Sequence, residues 1–216
     1  MRVDTLPVGE LQSNCHVVIN EELKSAVLVD CGGEPDRILK YLKNQDVKLS
    51  AILLTHGHYD HFEGVSRVQE VTNCKVYTSK QDSPMLTSKE LSLAKALYYG
   101  TFYPAESFVR IQDGDKILES GFEFTVLSTS GHTSGSVCYM CENSLFTGDT
   151  LFRRSMGRTD FPTGSYFDMQ KSLKRLFDLK GDYNVYCGHN NNTTLQAERK
   201  ENPCMIDAIN DDFYLY

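Results

Sequence analysis

The run Ala51-Ile52-Leu53-Leu54 leads straight into Thr55-His56-Gly57-His58-Tyr59-Asp60-His61, and this junction constrains the chain more than any other stretch. The apolar run reads as a buried strand, and a strand end holds imidazoles rigidly without locking them inside a ladder. Three of the chain's six histidines crowd into the loop that follows, beside a carboxylate. His56 and His58 lie two apart, so in an extended turn they face the same way and share one ion. Asp60 and His61 follow at once and cannot all reach that same ion. The spacing therefore implies two neighbouring metals, one for each pair. A polar loop that holds histidines by chance is the bland alternative, and their density argues against it.

A chain of 216 residues suits one domain spanning positions 1–216, with a sizeable core. The net charge of −7 and the lack of basic runs argue against nucleic acid or an anionic membrane as main partner. No apolar run approaches the roughly 20 residues that span a bilayer. Met1 to Pro7 carries no signal-peptide core, so a cytoplasmic protein acting on a small molecule is expected. Nothing in the sequence points to an oligomeric state. Seven cysteines, an odd number without scaffold spacing, are expected to be free thiols, mostly in strands. Cys138 and Cys141 form a C-x-x-C, but in a strand-like run, so a redox or zinc role is the minor reading.

Three β-type runs open the chain: Val3 to Pro7, Cys15 to Asn20 and Ala26 to Asp30, an antiparallel meander. Pro35 starts a helix with Ile38, Leu39 and Leu42 on one face. After the histidine loop a helix is expected over 62–71, which places Asp60 and His61 near its N-terminus, and a strand follows at Lys75 to Thr78. Residues 80–104 read as short helices followed by Tyr98, Tyr99, Phe102 and Tyr103, an aromatic cluster expected in the core rather than in a substrate groove. Strands resume at Ser107 to Ile111, Lys116 to Leu118, Glu123 to Leu127, Val137 to Met140 and Ser144 to Phe146. A helix over 166–179, a strand at Asn184 to Cys187 and a terminal helix from about Thr194 complete the chain. Strands first and helices later in each half suit two packed sheets with helices outside. The apolar end, Asp212 to Tyr216, is expected to dock on the body.

Two metals need more ligands, and glycine-flanked residues at strand ends supply them: Gly131-His132, Gly148-Asp149 and Gly188-His189. His132 completes a group with His56 and His58. His189 joins Asp60 and His61, and Asp149 suits a bridge between the ions. A water or hydroxide held between the metals is the expected remaining ligand, since a metal can lower a water's pKa from 15.7 to about 7. Only His16 is left over, and its place in a β-run makes it structural. Imidazole with a bridging carboxylate suits two divalent ions, zinc first, with iron and manganese as alternatives.

His56, His58, Asp60, His61, His132, Asp149 and His189 match the pattern H-x-H-x-D-H, then His, Asp and His, so the chain resembles the metallo-β-lactamase fold superfamily. Within it, Gly131 to Ser136 and Gly148 to Phe152 are similar to the glyoxalase II-like hydrolases. The resemblance implies an α/β protein, an αβ/βα four-layer sandwich with metals at one edge between the sheets. It also implies hydrolysis of a thioester by metal-held hydroxide, with Asp60 and Asp149 as the catalytic carboxylates. Too few residues follow His189 for the helical domain that helps two-domain members bind glutathione, so the chain resembles the compact branch. Asn190-Asn191-Asn192 departs from the glycine-rich turn expected after His189. The run Gly157-Arg158-Thr159-Asp160-Phe161 also resembles persulfide dioxygenases, which share the fold and use one iron. A β-lactamase is the weaker reading. Among the arginines that follow Asp149, Arg158 is expected to pair with Asp160, while Arg153 and Arg154 are open between substrate carboxylate and structure.

Overall fold

The computed structural model describes residues 1–97 and 100–210, so Tyr98, Tyr99 and the apolar C-terminal end lie outside the described residues. The chain begins with the expected meander, β1 (Arg2–Val8), β2 (Ser13–Asn20) and β3 (Ser25–Val29). The helix α1 (Pro35–Asn44) crosses to β4 (Lys48–Leu53), which runs parallel to β3. The helix expected over 62–71 is two pieces, α2 (Tyr59–Phe62) and α3 (Val65–Thr72), divided at Gly64. A side chain at Gly64 would collide with the Gly32 carbonyl, so close packing there is what splits the periodic run. Strand β5 (Lys75–Ser79), a 3-10 turn (Ser83–Thr87), α4 (Ala94–Leu97) and β6 (Val109–Ile111) complete the first half.

The second half adds β7 (Lys116–Glu119), β8 (Phe122–Ser128), β9 (Val137–Cys141) and β10 (Ser144–Gly148). A small hairpin of β11 (Leu151–Phe152) and β12 (Ser155–Met156) escaped the sequence reading because two-residue strands carry no periodicity. Then come α5 (Tyr166–Phe177), β13 (Asn184–Cys187) and β14 (Thr193–Thr194). The single terminal helix expected from Thr194 is in fact α6 (Leu195–Glu201) and α7 (Pro203–Asn210). Thr194 caps α6 through its hydroxyl, and Pro203 forces the break because its ring excludes continuation of the helix.

Two six-stranded sheets result, ordered β1-β2-β3-β4-β5-β6 and β14-β13-β10-β9-β8-β7. Strand alternation divides the apolar residues among three cores. Cys15, Val17, Ile19, Ala26 and Leu28 face α1 and α3, whereas Val18, Val27 and Val29 face the other sheet. A register shift in the β3–β4 pairing lets Leu49 and Ile52, three apart, share the helix side. The inter-sheet core is closed by Phe124, Tyr139 and Phe146, each worth about 1.5–3 kcal/mol of burial. Leu145, Val185 and Cys187 pack outward on α5, α6 and α7. Helices, sheet, sheet, helices: the αβ/βα four-layer order is the one expected. Cys138 and Cys141 fall in different cores on opposite faces of β9, which rules out a shared ligand or disulfide, and all seven cysteines are free. No helix of the described residues is long and apolar enough to cross a membrane.

Candidate metal centre

Strands β4, β8, β10 and β13 all end at one rim of the sandwich. Strands β10 and β13 are parallel, and two antiparallel steps through β9 bring β8 into the same direction. Backbone bonds fasten the sheets together there, from Val137 N to Thr55 O (2.9 Å) and from Asn14 N to Gly188 O (2.7 Å). Each strand therefore delivers its following loop to one place. All seven residues singled out in the sequence meet there, although up to 133 positions separate them (His56 to His189).

Three groups of ligand atoms each lie within 4.8 Å of one another: His56, His58 and His132; Asp60, His61 and His189; and His56, His61 and Asp149 between them. His58 Nδ1 and His132 Nε2 are 2.9 Å apart, too close for two lone pairs without a proton or cation between them. Asp60 Oδ2 lies 3.2 Å from His189 Nε2 and 3.4 Å from His61 Nε2. Asp149 spans the groups, with Oδ1 3.4 Å from His61 Nε2 and Oδ2 3.5 Å from His132 Nε2 and 3.6 Å from His189 Nε2. A side chain at Gly188 would occupy the place of the Asp149 carboxylate, so the glycine there makes room for it.

The donor set fits divalent ions. His56 Nε2 and Asp149 Oδ1 are buried without a hydrogen-bond partner, a costly state that cations at this position would relieve. The outward ring nitrogens of His61, His132 and His56 are engaged, as suits metal-ligating histidines. His61 Nδ1 meets Asp30 Oδ2 at 2.8 Å, His132 Nδ1 donates to the Arg158 carbonyl at 2.7 Å, and His56 Nδ1 lies 3.1 Å from Thr55 Oγ1. Asp30 is itself held by the backbone N–H and hydroxyl of Thr55, both at 2.8 Å.

Charge divides the site. Burial pushes His56 well below its ordinary pKa and His58 down to about 3, so both are neutral. Burial would lower His61 as well, but the carboxylates of Asp60, Asp30 and Asp149 outweigh it and raise the group to about 10. His189 is raised too, against its burial, by Asp60 and Asp149. Despite burial, the facing imidazoles of His61 and His189 hold Asp60 far below the usual carboxylate range, so it stays ionised.

The site floors a cavity of about 550 Å³ walled by Leu11, Leu93, Phe152 and Phe161, with Arg158 and Asn190 at its polar side. Arg158 pairs with Asp160 through two bonds of 2.7 Å, as expected, and also stacks on Phe161 at 3.9 Å. Arg154 binds Glu201, which gives it a structural partner. Of the aromatic cluster, Phe102 packs on Tyr59 and Phe62 in the core, whereas Tyr103 is exposed. His16 is structural, its ring nitrogens each 3.0 Å from Thr5 Oγ1 and the Cys187 carbonyl. Sequence reasoning missed Asp30 and Asp82. Asp30 had a legible signal, a carboxylate at a strand end beside two glycines, whereas Asp82 sits in a stretch without periodicity.

Residues 8–189 match the family described as the metallo-beta-lactamase superfamily. The chain belongs to that superfamily. It is similar to the "Hydroxyacylglutathione hydrolase GloC" of Haemophilus influenzae, 32% identical over 94% of this chain and 97% of that protein. Among solved structures it is similar to the BLEG-1 B3 metallo-beta-lactamase (31% identity, TM-score 0.89, 94% of this chain and 99% of that one). It is similar also to TTHA1623 in a di-iron-bound form (32%, TM-score 0.84, 93% and 99%). ETHE1 from Myxococcus xanthus is a further neighbour (30%, TM-score 0.78, 94% and 84%). The chain thus has a metallo-hydrolase fold with a His/Asp cluster suited to divalent metal.

Proposed function

We propose that the protein is a dinuclear metal-dependent hydrolase that cleaves a small thioester, of the hydroxyacylglutathione hydrolase type. The observation that carries this reading is the reach of Asp149, whose one carboxylate lies within 3.6 Å of imidazoles from both ligand groups. His56, His58 and His132 would hold one ion, and Asp60, His61 and His189 the other, with Asp149 shared. When bound, divalent ions, zinc in the first instance and iron or manganese as alternatives, supply Lewis-acid activation and a hydroxide at neutral pH. The chain's own residues do the rest. Asp30 and the Arg158 carbonyl hold His61 and His132 in the tautomer that turns Nε2 inward. Leu11, Leu93, Phe152 and Phe161 offer an apolar wall to a substrate and displace water from the reacting carbonyl. The seven free thiols suit a reducing cytoplasm, and the charge of −7 suits a small-molecule substrate rather than nucleic acid or membrane.

A second reading, a one-iron dioxygenase acting on persulfides, draws on the likeness to ETHE1 and on the Gly157–Phe161 run. One experiment separates the two. Metal content per chain is measured alongside thioester hydrolysis and persulfide-dependent oxygen uptake on the same preparation. Two ions with thioester turnover support the hydrolase; one iron with oxygen uptake and no thioester turnover overturns it.

A further inference from the structure

Asp82 lies between β5 and the 3-10 turn, fully buried, and is absent from the ligand set. Its Oδ2 accepts two hydrogen bonds that come from different sheets. One is from the backbone N–H of Gly57 at 3.0 Å, in the loop that carries His56 and His58. The other is from the hydroxyl of Thr133 at 2.6 Å, next to His132. The main chain of Asp82 is itself anchored, since its backbone N–H donates to Ser79 Oγ at 3.1 Å. Its neighbour Met85 packs so tightly on Gly57 that a methyl group there would come within 2.7 Å of the Met85 Cβ. Asp82 therefore touches both loops whose imidazoles meet, those of His58 and His132.

We infer that Asp82 is a positioning residue for the three-histidine group: one buried oxygen, shared by Gly57 and Thr133, sets the spacing between the imidazoles that β4 and β8 deliver. The inference rests on the reading of His56, His58 and His132 as a metal group. A short bond makes a stiff link, and the Thr133 bond is the shorter of the two. The acidic group of Asp60, His61 and His189 takes no bond from Asp82, so the effect is confined to one ion.

Zinc titration of the metal-free protein against a chromophoric chelator tests this, with His58→Ala and Asp60→Ala marking which ion belongs to which group. Asp82→Ala is expected to weaken the ion that His58→Ala removes by about 10–100-fold, while the ion that Asp60→Ala removes stays within about threefold. Asp82→Asn keeps an acceptor oxygen and should restore most of that affinity. Thr133→Val cuts the same link from the other loop and should weaken the same ion. Wild-type affinity for both ions in folded Asp82→Ala overturns the inference. Equal loss of both ions with a matching fall in metal-free Tm also overturns it, because that marks a purely structural role. If Asp82→Ala does not fold, Thr133→Val decides by the same criterion. If the wild type holds no ion that His58→Ala removes, the three-histidine reading itself fails, and Asp82's role falls with it.

Discussion

The three-histidine group and the Asp60–His61–His189 group share Asp149 and differ in almost everything else. The first contains two imidazoles that burial keeps neutral, His58 at about 3 and His56 well below its ordinary value. The second sets an ionised Asp60 against His61, raised to about 10, and His189, also raised. Neutral His56 and His58 take a cation without displacing a proton of their own. In the acidic group a proton already balances the carboxylates, and an ion must displace it. Burial acts on both, so the difference comes from the carboxylates: Asp30, Asp60 and Asp149 all raise His61, whereas Asp60 alone of the three acts on His58. Two groups at one rim can therefore fill in different orders as pH changes.

The largest expected effect comes from cutting what the groups share. Asp149→Ala should weaken both ions and lower hydrolysis by about 10³-fold or more, on the scale of losing a principal electrostatic element of an active site. Retention of two tightly bound ions by this variant would show that the groups are independent. Single-group cuts come next. Asp60→Ala should take metal content from about two ions per chain to about one and remove most hydrolysis, and His58→Ala should remove the other ion. Full activity of Asp60→Ala with a single tight ion would sink the dinuclear reading.

Proton release sharpens the contrast further. Near neutral pH, zinc affinity of the acidic group should rise by up to about tenfold per pH unit as the His61 proton is displaced, whereas His56 and His58 contribute no such slope. Calorimetry in buffers of different ionisation enthalpy, run on His58→Ala and Asp60→Ala, reads this directly; equal proton release from both variants contradicts it. Metal-free stability should carry the same signature. The folded pKa of His61 lies above its ordinary 6.5, so its contribution is complete below about 6.5 and is lost as pH rises through about 10. His58 is depressed, so its contribution is present above about 6.5 and is lost as pH falls towards about 3. Tm against pH should lose its alkaline limb in His61→Asn and its acid limb in His58→Asn.

The smallest effect is expected at the cavity wall. The Arg158–Asp160 pair is more than half exposed at both ends, so Arg158→Ala should leave stability nearly unchanged. Phe161, which it stacks upon, stands edge-on to His58 at 5.7 Å, so KM should rise a few-fold with kcat little changed. A fall in kcat equal to the fall in kcat/KM would move Arg158 from the wall into the chemistry.

The two halves of the site were not equally legible. His56, His58, Asp60 and His61 are neighbours in the chain, and a period-two pair at a strand end states its geometry without reference to anything else. His132, Asp149 and His189 stand alone, each beside a glycine, and their grouping came from counting what two ions would need. The strand alternation and the helix faces were readable because burial on one side of an element leaves a period in the sequence. Gly64, Pro203 and the β11–β12 hairpin were missed or misjudged because a break of one or two residues leaves none. What only the tertiary structure decided is which strand ends share a rim. That depends on β10 and β13 running parallel while β8 and β9 alternate, a choice made by packing between distant segments. It also decided the charge of each histidine. His58 and His61 are the same residue type three positions apart, and they separate because Asp30 and Asp149, remote in sequence, fold against one of them.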